Sequence, residues 1–359
     1  MFNLTSLLSG HKKNVTPNNV VGIDFGSSSI KVVELEKRKD LVVLKTYGEI
    51  QLGPYADSEL GKPVKLDEKK KTQALTDVIN ESGVSAESGL LSMPLSSSFV
   101  TIMSMTAKPE EDIGPRVRVE ARKYIPIPLA DVTLDWTELP PLGNVPDNVR
   151  EILVVAVQND PYSEMTSVMQ SVQKFVQPAE SELFSAVRAL SKPKDRAVAI
   201  LDLGAETSKM YIIHQGMLRK IHRVRIGGSQ ATDRIMELTG LSHEAAENAK
   251  RNFSPDMENS LDIKKAVIST FERPLQEFKR VLTQNEMKVG EKVERVILTG
   301  GSASFGEMVP FSGYMLDRTV ERANAFSKVA YPAFMESRLQ EIAPSFTVAL
   351  GGALRSFEN

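Results

Sequence analysis

Two short stretches of the chain place an acid, a glycine and a lysine at the same spacing. They are Asp24, Gly26 and Lys31 in the first stretch and Asp202, Gly204 and Lys209 in the second. A small polar turn can present backbone N–H groups and hydroxyls to an anion, and a lysine adds a point charge. A carboxylate at the end of a strand can hold a hydrated divalent cation near phosphates. The residue types therefore predict phosphate binding with a cation beside it.

The sequence around each triad predicts a β-hairpin with small residues at its tip. Val20–Ile23 is an apolar run typical of a buried strand, and Ile30–Leu35 is a second run rich in Ile and Val. A single hairpin of this kind usually needs no function. However, Val198–His214 repeats the layout 178 residues later, close to half of the 359-residue chain. Two similar hairpins half a chain apart predict two related lobes that offer phosphate loops to one ligand between them.

Two further glycine pairs accompany the hairpins. Val293–Ser302 predicts a strand that runs into Gly300 and Gly301, and Gly227–Gly228 lies between a basic run and a helical stretch. The turn at Gly300 lets a flat ring or a phosphate approach the backbone closely, whereas the pattern around Gly227–Gly228 by itself indicates an ordinary strand-to-helix turn. In the second hairpin Glu206 departs from the serine pattern, because a carboxylate repels phosphate unless it points away or meets the metal.

The pattern of two strand–DxG–loop–K hairpins followed by an apolar strand ending in GGS resembles the actin/Hsp70/sugar-kinase ATPase superfamily. Within it, the chain resembles the PilM family of type IV pilus assembly proteins, which are relatives of the cell-division protein FtsA. The resemblance rests on three separated segments in the right order. They are GIDFGSSSIKVVEL at 22–35, EARKYIPIPLADVTLDW at Glu120–Trp136 and SFTVALGGALRSF at Ser345–Phe357.

The resemblance implies an α/β fold of the actin-like ATPase type. Two duplicated lobes would enclose a nucleotide cleft, and a 1C subdomain of the FtsA/PilM type would be inserted in the first. The expected division assigns 1–95 with 176–195 and part of the C-terminal helix region to lobe 1 (1A), 96–175 to 1C, 196–227 with 292–359 to lobe 2 (2A), and 228–291 to 2B.

The resemblance also implies ATP and Mg²⁺ as ligands. Asp24 and Asp202 would position Mg²⁺ mostly through water molecules. The hairpin tips would hold the phosphates, and the glycine turns would lie close to the nucleotide. The residues concerned are Gly26, Ser27, Ser28, Ser29 and Lys31; Gly204, Glu206, Thr207, Ser208 and Lys209; Gly227 and Gly228; and Gly300, Gly301, Ser302 and Ala303.

Two roles in the predicted site rest on less specific patterns. The stretch Pro178–Leu190 reads as a helical linker, and in this superfamily the linker often carries a residue that orients the attacking water. Glu182 is the better candidate by position and Glu180 the weaker, while a solvated glutamate at a helix start is the competing interpretation. Polar residues of Leu261–Met287 could face adenine or ribose, and their spacing does not choose among Glu272, Arg273 and Lys279.

A protein partner is also implied by the resemblance. In the family, the groove between 1C and the first lobe receives the cytoplasmic N-terminal tail of the inner-membrane protein PilN. Candidate apolar contacts are Tyr124, Ile125, Ile127 and Trp136, with ordinary core packing as the alternative for each. Other pilus platform proteins and self-association are further possible partners.

Bulk properties limit the function classes. The net charge of −2 provides no basic field for nucleic acid, and the absence of cysteine excludes disulfides and thiolate metal sites. The four histidines form no HExxH pair, and Walker A and GxGxxG motifs are absent. Residues 1–19 lack the features of a signal peptide and predict a frayed end, so we expect a cytoplasmic protein held at the inner membrane through a partner.

Two other functions remain open from the sequence. The first is an FtsA-like filament protein of cell division; FtsA typically carries a linker and an amphipathic helix at its C-terminus, whereas this chain stops at Asn359. The second is a small-molecule kinase of the same superfamily, which needs a general base beside the γ-phosphate, and no residue presents itself for that role. Whether bound ATP is hydrolysed is also left open.

Overall fold

The computed structural model describes residues 18–108, 110–173, 175–192 and 195–358. The leader, for which the sequence predicts a frayed end, lies outside these residues up to position 17. The strands are β1 (Asn19–Phe25), β2 (Ser29–Arg38), β3 (Leu41–Gln51), β4 (Ser88–Met93), β5 (Ser98–Thr106), β6 (Val132–Leu139), β7 (Val149–Gln158), β8 (Phe175–Ser181), β9 (Ala197–Leu203), β10 (Ser208–His214), β11 (Met217–Val224), β12 (Arg295–Thr299) and β13 (Val320–Arg322). The helices are α1 (Glu68–Glu81), α2 (Gly114–Ala121), α3 (Asn159–Ser171), α4 (Glu182–Leu190), α5 (Gly228–Thr239), α6 (His243–Arg251), α7 (Ser260–Val289), α8 (Met308–Leu316) and α9 (Glu336–Leu354).

Two of the sheets in the described part of the chain have the same topology. The first has the order β3-β2-β1-β4-β8 and the second the order β11-β10-β9-β12-β13. In each, the first three strands along the chain form an antiparallel meander, and the later strands join in parallel. We call the units built on these sheets the first and second lobes. The duplication predicted from the two hairpins is therefore repeated in the whole sheet around each hairpin.

A third sheet, of order β5-β7-β6, is antiparallel and is inserted between β4 and β8 of the first lobe. One face of β7 packs with α2, because Ile152, Val154 and Ala156 alternate toward the same apolar cluster as Val117 of that helix. We call β5, β6, β7 and α2 the three-stranded domain.

Helix α9 packs on β1, β2 and β4 of the first lobe, on β12 of the second, and on α4. Its residues from Ala343 to Leu354 are almost all buried. The sequence places this closing helix from Ser345, but it begins at Glu336 and continues through Pro344. Pro344 has no N–H group, so the carbonyl of Gln340 loses its hydrogen bond within the helix. Gln340 is exposed, and water can take the place of that donor. Packing stabilises the rest of the helix.

The predicted linker helix is shorter than the sequence indicates. Pro178–Ser181 belongs to β8, and α4 begins only at Glu182. Because β8 lies at the edge of the first sheet, a residue without an N–H group is tolerated there. The longer helix of the second lobe, α7, is likewise continuous through Pro274 and is not divided by it.

Candidate functional site

The two hairpin tips have the same backbone geometry. In the first, the N–H of Gly26 donates to the carbonyl of Ser29 over 3.0 Å, and in the second the N–H of Gly204 donates to that of Thr207 over 3.0 Å. These positions again differ by 178. Asp24 lies opposite Lys31 in the first hairpin, as Asp202 lies opposite Lys209 in the second. Each lobe therefore presents an acid and a lysine side by side below a tight turn.

A buried ion cluster joins the lobes at the start of α4. Lys209 Nζ lies 2.9 Å from Glu182 Oε1 and 3.2 Å from Asp202 Oδ2. Glu182 also accepts a hydrogen bond of 2.8 Å from the N–H of Leu95, which follows β4. Burial opposes the charge of Lys209, but the two carboxylates outweigh it and raise the pKa of this lysine well above its ordinary value. Lys209 is therefore charged at neutral pH.

Asp24 shares the electrostatic field of this cluster. Burial raises the pKa of Asp24 from 3.8 to about 7, and the negative charges of Glu182 and Asp202 add to this. Lys31 and Lys209 act in the opposite direction. Two of these charges belong to the second hairpin, so the structure brings the acidic ends of both hairpins to one place.

The first tip is fixed from behind by the segment after β3. The carbonyls of Ser27 and Ser28 accept hydrogen bonds from the N–H groups of Val64 and Leu52, 2.9 and 2.8 Å long. Lys31 lies 2.6 Å from the hydroxyl of Ser29 and 3.2 Å from Glu49. The tip is thus held by its own lobe.

The predicted hydroxyl groups of the tips are not equivalent. Ser27, Ser28 and Thr207 are half-buried, and Glu206 is exposed at the second tip. Ser208 is fully buried, and its hydroxyl donates to the carbonyl of Ile226 over 2.7 Å. The sequence repeat indicates the burial of Ser208, because position 208 corresponds to position 30, where the apolar Ile30 is also buried.

The third glycine turn lies directly on the end of β9. Thr299 is the parallel neighbour of Asp202, and Gly300 follows with a φ of +87°. A Cβ atom at Gly300 would lie 2.5 Å from Asp202 Oδ1 and 2.6 Å from the carbonyl of Leu203. The position therefore requires glycine for both its backbone conformation and its close contact with the acid.

The glycine pair 227–228 closes the second half of the site. Gly228 N–H donates to the carbonyl of Gly204 over 2.9 Å, so the pair lies against the second tip. A Cβ atom at Gly228 would lie 2.7 Å from Ser302 Oγ. Ala303 is buried beneath this turn, while Gly301 faces open space. The structure thus joins the second tip, the glycine pair and the third glycine turn into one continuous surface.

Sequence reasoning missed the charged residues that reach this surface from α6. Lys250 Nζ donates to the carbonyl of Gly228 over 2.8 Å and to Glu247 Oε2 over 2.5 Å. The same carboxylate oxygen accepts a hydrogen bond of 2.6 Å from Thr232 Oγ1. Glu272, by contrast, is exposed on α7. In the sequence, Glu247 and Lys250 read as an ordinary i, i+3 pair on a helix surface, and only packing shows that they are largely buried.

The carboxylates suit a hydrated cation. Within the residues that the structure describes, no three His, Asp or Glu side chains form a group that could hold a metal ion by themselves. Mg²⁺ bound with a nucleotide usually takes only one or two carboxylates, with water and phosphate oxygens as the other ligands. Burial is the main reason why the pKa of Asp24 is raised, and a cation bound beside this carboxyl group would favour its ionised form.

The candidate partner residues lie in the three-stranded domain. Ile125 is buried in its core, and Ile127 and Trp136 pack against that core while partly buried. Tyr124 is 47% exposed. Core packing therefore accounts for Ile125, and Tyr124 offers an aromatic surface.

Comparison with known proteins agrees with this geometry. The profile of the family described as type IV pilus assembly protein PilM matches residues 22–357. The chain belongs to this family. A solved structure described as the PilM-PilN type IV pilus biogenesis complex is similar with a TM-score of 0.77 and 22% identity, over 95% of this chain and 99% of that one.

Two further structures share the fold of this PilM-family chain. The ethanolamine utilization protein EutJ from Carboxydothermus hydrogenoformans has a TM-score of 0.56 at 15% identity, over 98% of this chain and 93% of that one. MreB 5 of Spiroplasma citri bound to AMPPNP has a TM-score of 0.51 at 10% identity, over 93% of this chain and 94% of that one. The fold is the actin-like ATPase fold expected from the sequence. None of the helices in the described ranges combines the length and apolar character that a membrane span requires.

Proposed function

We propose that the chain binds ATP with Mg²⁺ between its two hairpin tips and acts as an actin-like scaffold of the type IV pilus assembly platform. The observation that carries this proposal is the matching geometry of the two hairpins, in which Asp24 lies opposite Lys31 and Asp202 lies opposite Lys209 below the same tight turn. The family membership of residues 22–357 supports the role in pilus assembly, and MreB 5, which has the same fold, was solved with AMPPNP.

In this proposal the backbone N–H groups of both tips, with Ser27, Ser28 and Thr207, hold the phosphates. Lys31 and Lys209 contribute positive charge to the same ligand. Asp24 and Asp202 hold Mg²⁺ mostly through water molecules, and the ion, when bound, neutralises phosphate charge.

The nucleoside end would lie on the surface formed by Gly227–Gly228 and Gly300–Ala303. Lys250 contacts that surface at the carbonyl of Gly228 and pairs with Glu247, and we assign these two residues to it in preference to Glu272. Glu182 is our candidate for orienting a water molecule in hydrolysis, since its carboxylate lies between Leu95 and Lys209, where the lobes meet.

The test is titration of the protein with Mg-ATP by calorimetry. Replacing Asp24 or Asp202 by Asn keeps the shape and removes the charge that would hold the ion. We expect each variant to lower the affinity about tenfold or more, equivalent to at least about 1.4 kcal/mol. Asp40→Asn, at the exposed turn between β2 and β3, is the matched control. Unchanged affinity in Asp24→Asn and Asp202→Asn would reject the site.

The second part of the proposal is the partner. We infer that the groove between the three-stranded domain and the first lobe receives the cytoplasmic N-terminal tail of a PilN-like inner-membrane protein. The similar PilM-PilN complex supports this inference. The protein would then work on the cytoplasmic side of the inner membrane, where its partner holds it.

A further inference from the structure

The three-stranded domain rests on both lobes, although its chain leaves and re-enters the first. On the face of β7 opposite α2, Val155 and Val157 belong to the core of the first lobe, with Met165 and Val168 of α3. Leu153, nearer the start of the strand, belongs to a different apolar cluster. That cluster includes Leu218 of β11 in the second lobe, with Ile221 packed against it. Strand β7 therefore packs on the core of the first lobe and, nearer its start, on an apolar cluster to which both lobes contribute.

Charged groups reinforce the end of β7 that lies on the second lobe. Glu151 is buried and accepts from Arg219 Nη1 of β11 and from Lys288 Nζ of α7, each over 3.2 Å. Arg219 Nη2 also donates to the carbonyl of Pro140, which follows β6, over 2.7 Å. We call Glu151, Arg219 and Lys288 the bridging cluster.

The burial of Arg219 makes this contact specific. Its side chain is only 5% exposed, and its Nε has no hydrogen-bond partner among the described residues. A buried guanidinium without its carboxylate is strongly unfavourable. We therefore expect Arg219 of the second lobe to stay paired with Glu151 of the three-stranded domain when the lobes move.

The beginning of the three-stranded domain is also attached to the proposed nucleotide site. Leu95 lies three residues before β5, and its N–H is bound by Glu182, which contacts Lys209. The carbonyl of Leu95 accepts from Arg223 of β11 over 3.4 Å. A change in the distance between the lobes therefore acts on this domain at two points.

We propose that the bridging cluster makes the three-stranded domain follow the second lobe, so that the nucleotide, by setting the distance between the lobes, changes the grip of the groove on the partner tail. The nucleotide part of this inference rests on the proposed function. The mechanical part concerns only contacts within the chain, and it can be tested without any ligand.

Distances between labels provide the test, because the chain has no cysteine of its own. Exposed positions are available on each unit: Arg118→Cys on α2, Gln73→Cys on the first lobe and Glu237→Cys on the second. Spin labels on the pairs 118/237, 118/73 and 73/237 are measured by pulsed electron resonance without ligand. In Glu151→Gln we expect a broader distance distribution for 118/237, with 118/73 unchanged.

Glu138→Gln is the matched control. Glu138 lies on the neighbouring strand β6 and pairs with Arg150 inside the same domain, so its loss removes an ion pair without touching the second lobe. Lys288→Gln is a milder variant, since this lysine is 72% exposed, and we expect a smaller change in the same direction. An unchanged 118/237 distribution in both Glu151→Gln and Lys288→Gln overturns the proposal, as does equal broadening in Glu138→Gln.

A second arm adds Mg-ATP. We expect the 118/73 distance to shift by an amount on the order of 1–2 Å or more in the otherwise unchanged protein, and by less in Glu151→Gln. If calorimetry shows no binding of Mg-ATP, the proposed function is wrong. The ligand-free measurement still tests whether the bridging cluster couples the three-stranded domain to the second lobe. If Mg-ATP binds and changes the 73/237 distance but leaves 118/73 unaffected, the domain stays with the first lobe and the inference is wrong.

Discussion

Asp24 is a carboxyl group that the fold holds near its titration point at neutral pH. Burial is the main reason, and the neighbouring Glu182 and Asp202 add to it. Because the pKa is raised in the folded state, the folded protein retains a proton that the unfolded chain has already lost between pH 3.8 and about 7. This group therefore makes the protein less stable as the pH rises through that range.

This sign gives a prediction for Asp24→Asn without nucleotide. The variant should be more stable than the unchanged protein at pH 8, by at most about 4 kcal/mol, and the difference should vanish near pH 4. Urea unfolding across this pH range measures it, with Asp40→Asn as the reference for an exposed aspartate. A stability difference that does not depend on pH would contradict the assignment. Saturating Mg²⁺ should reduce the difference at pH 8, since a bound cation favours the ionised Asp24.

At the scale of elements, a second contact between the lobes lies at the C-terminal end of α6. Arg251 Nη2 donates to Gln51 Oε1 at the end of β3 over 3.0 Å, while its Nε donates to Glu247 over 2.7 Å. Gly61 lies so close that a Cβ atom there would be 2.5 Å from Glu247 Oε1. We call Gln51, Gly61, Glu247 and Arg251 the clasp. It links the first lobe to the helix whose Lys250 contacts Gly228.

Opening the clasp is expected to accompany nucleotide release. Arg251→Met keeps most of the apolar stem and removes the hydrogen bonds to Gln51 and Glu247. A loss of about 0.5–1.5 kcal/mol corresponds to roughly a two- to tenfold faster dissociation. Stopped-flow measurement with a fluorescent ATP analogue reports this rate.

The control for the clasp is Arg38→Met. Arg38 pairs with Glu36 on its own strand, β2, and does not connect the lobes. The clasp has no influence on release if Arg251→Met leaves the dissociation rate unchanged, or if Arg38→Met accelerates it equally.

At the scale of the whole molecule, the proposed partner groove lies between the three-stranded domain and the first lobe. Tyr124 is the exposed aromatic residue among the candidates, and aromatic side chains often carry much of the energy of a peptide contact. We expect a synthetic N-terminal tail of a PilN-like protein encoded beside this gene to bind the chain. Tyr124→Ala should weaken that binding about tenfold, as measured by fluorescence anisotropy.

Tyr314→Ala serves as the comparison for the tail experiment. Tyr314 is 82% exposed on α8 of the second lobe and should not affect tail binding. If both variants bind the tail as well as the unchanged protein does, the groove is not where Tyr124 lies. If the unchanged protein does not bind the tail at all, the partner assignment is wrong.

The subdomain limits stay a prediction, but the duplication on which they rest was accessible from sequence. The apolar runs Val20–Ile23 and Ile30–Leu35 and the small tip between them are local features, and both recur after 178 residues. Strand and turn formation depend mainly on such local patterns, so the two hairpins were predicted correctly. The same holds for the strand that ends at Gly300.

Other features depend on which residues the folded chain brings together. Lys209 pairs with Glu182 across the lobes, Ser208 turns inward to Ile226, and Lys250 of α6 reaches Gly228. Burial likewise moves the pKa of Asp24. The sequence by itself thus determined the repeated hairpins and the family. Only the tertiary structure decided which charges meet, because ion pairing and desolvation depend on distances between segments far apart in the chain.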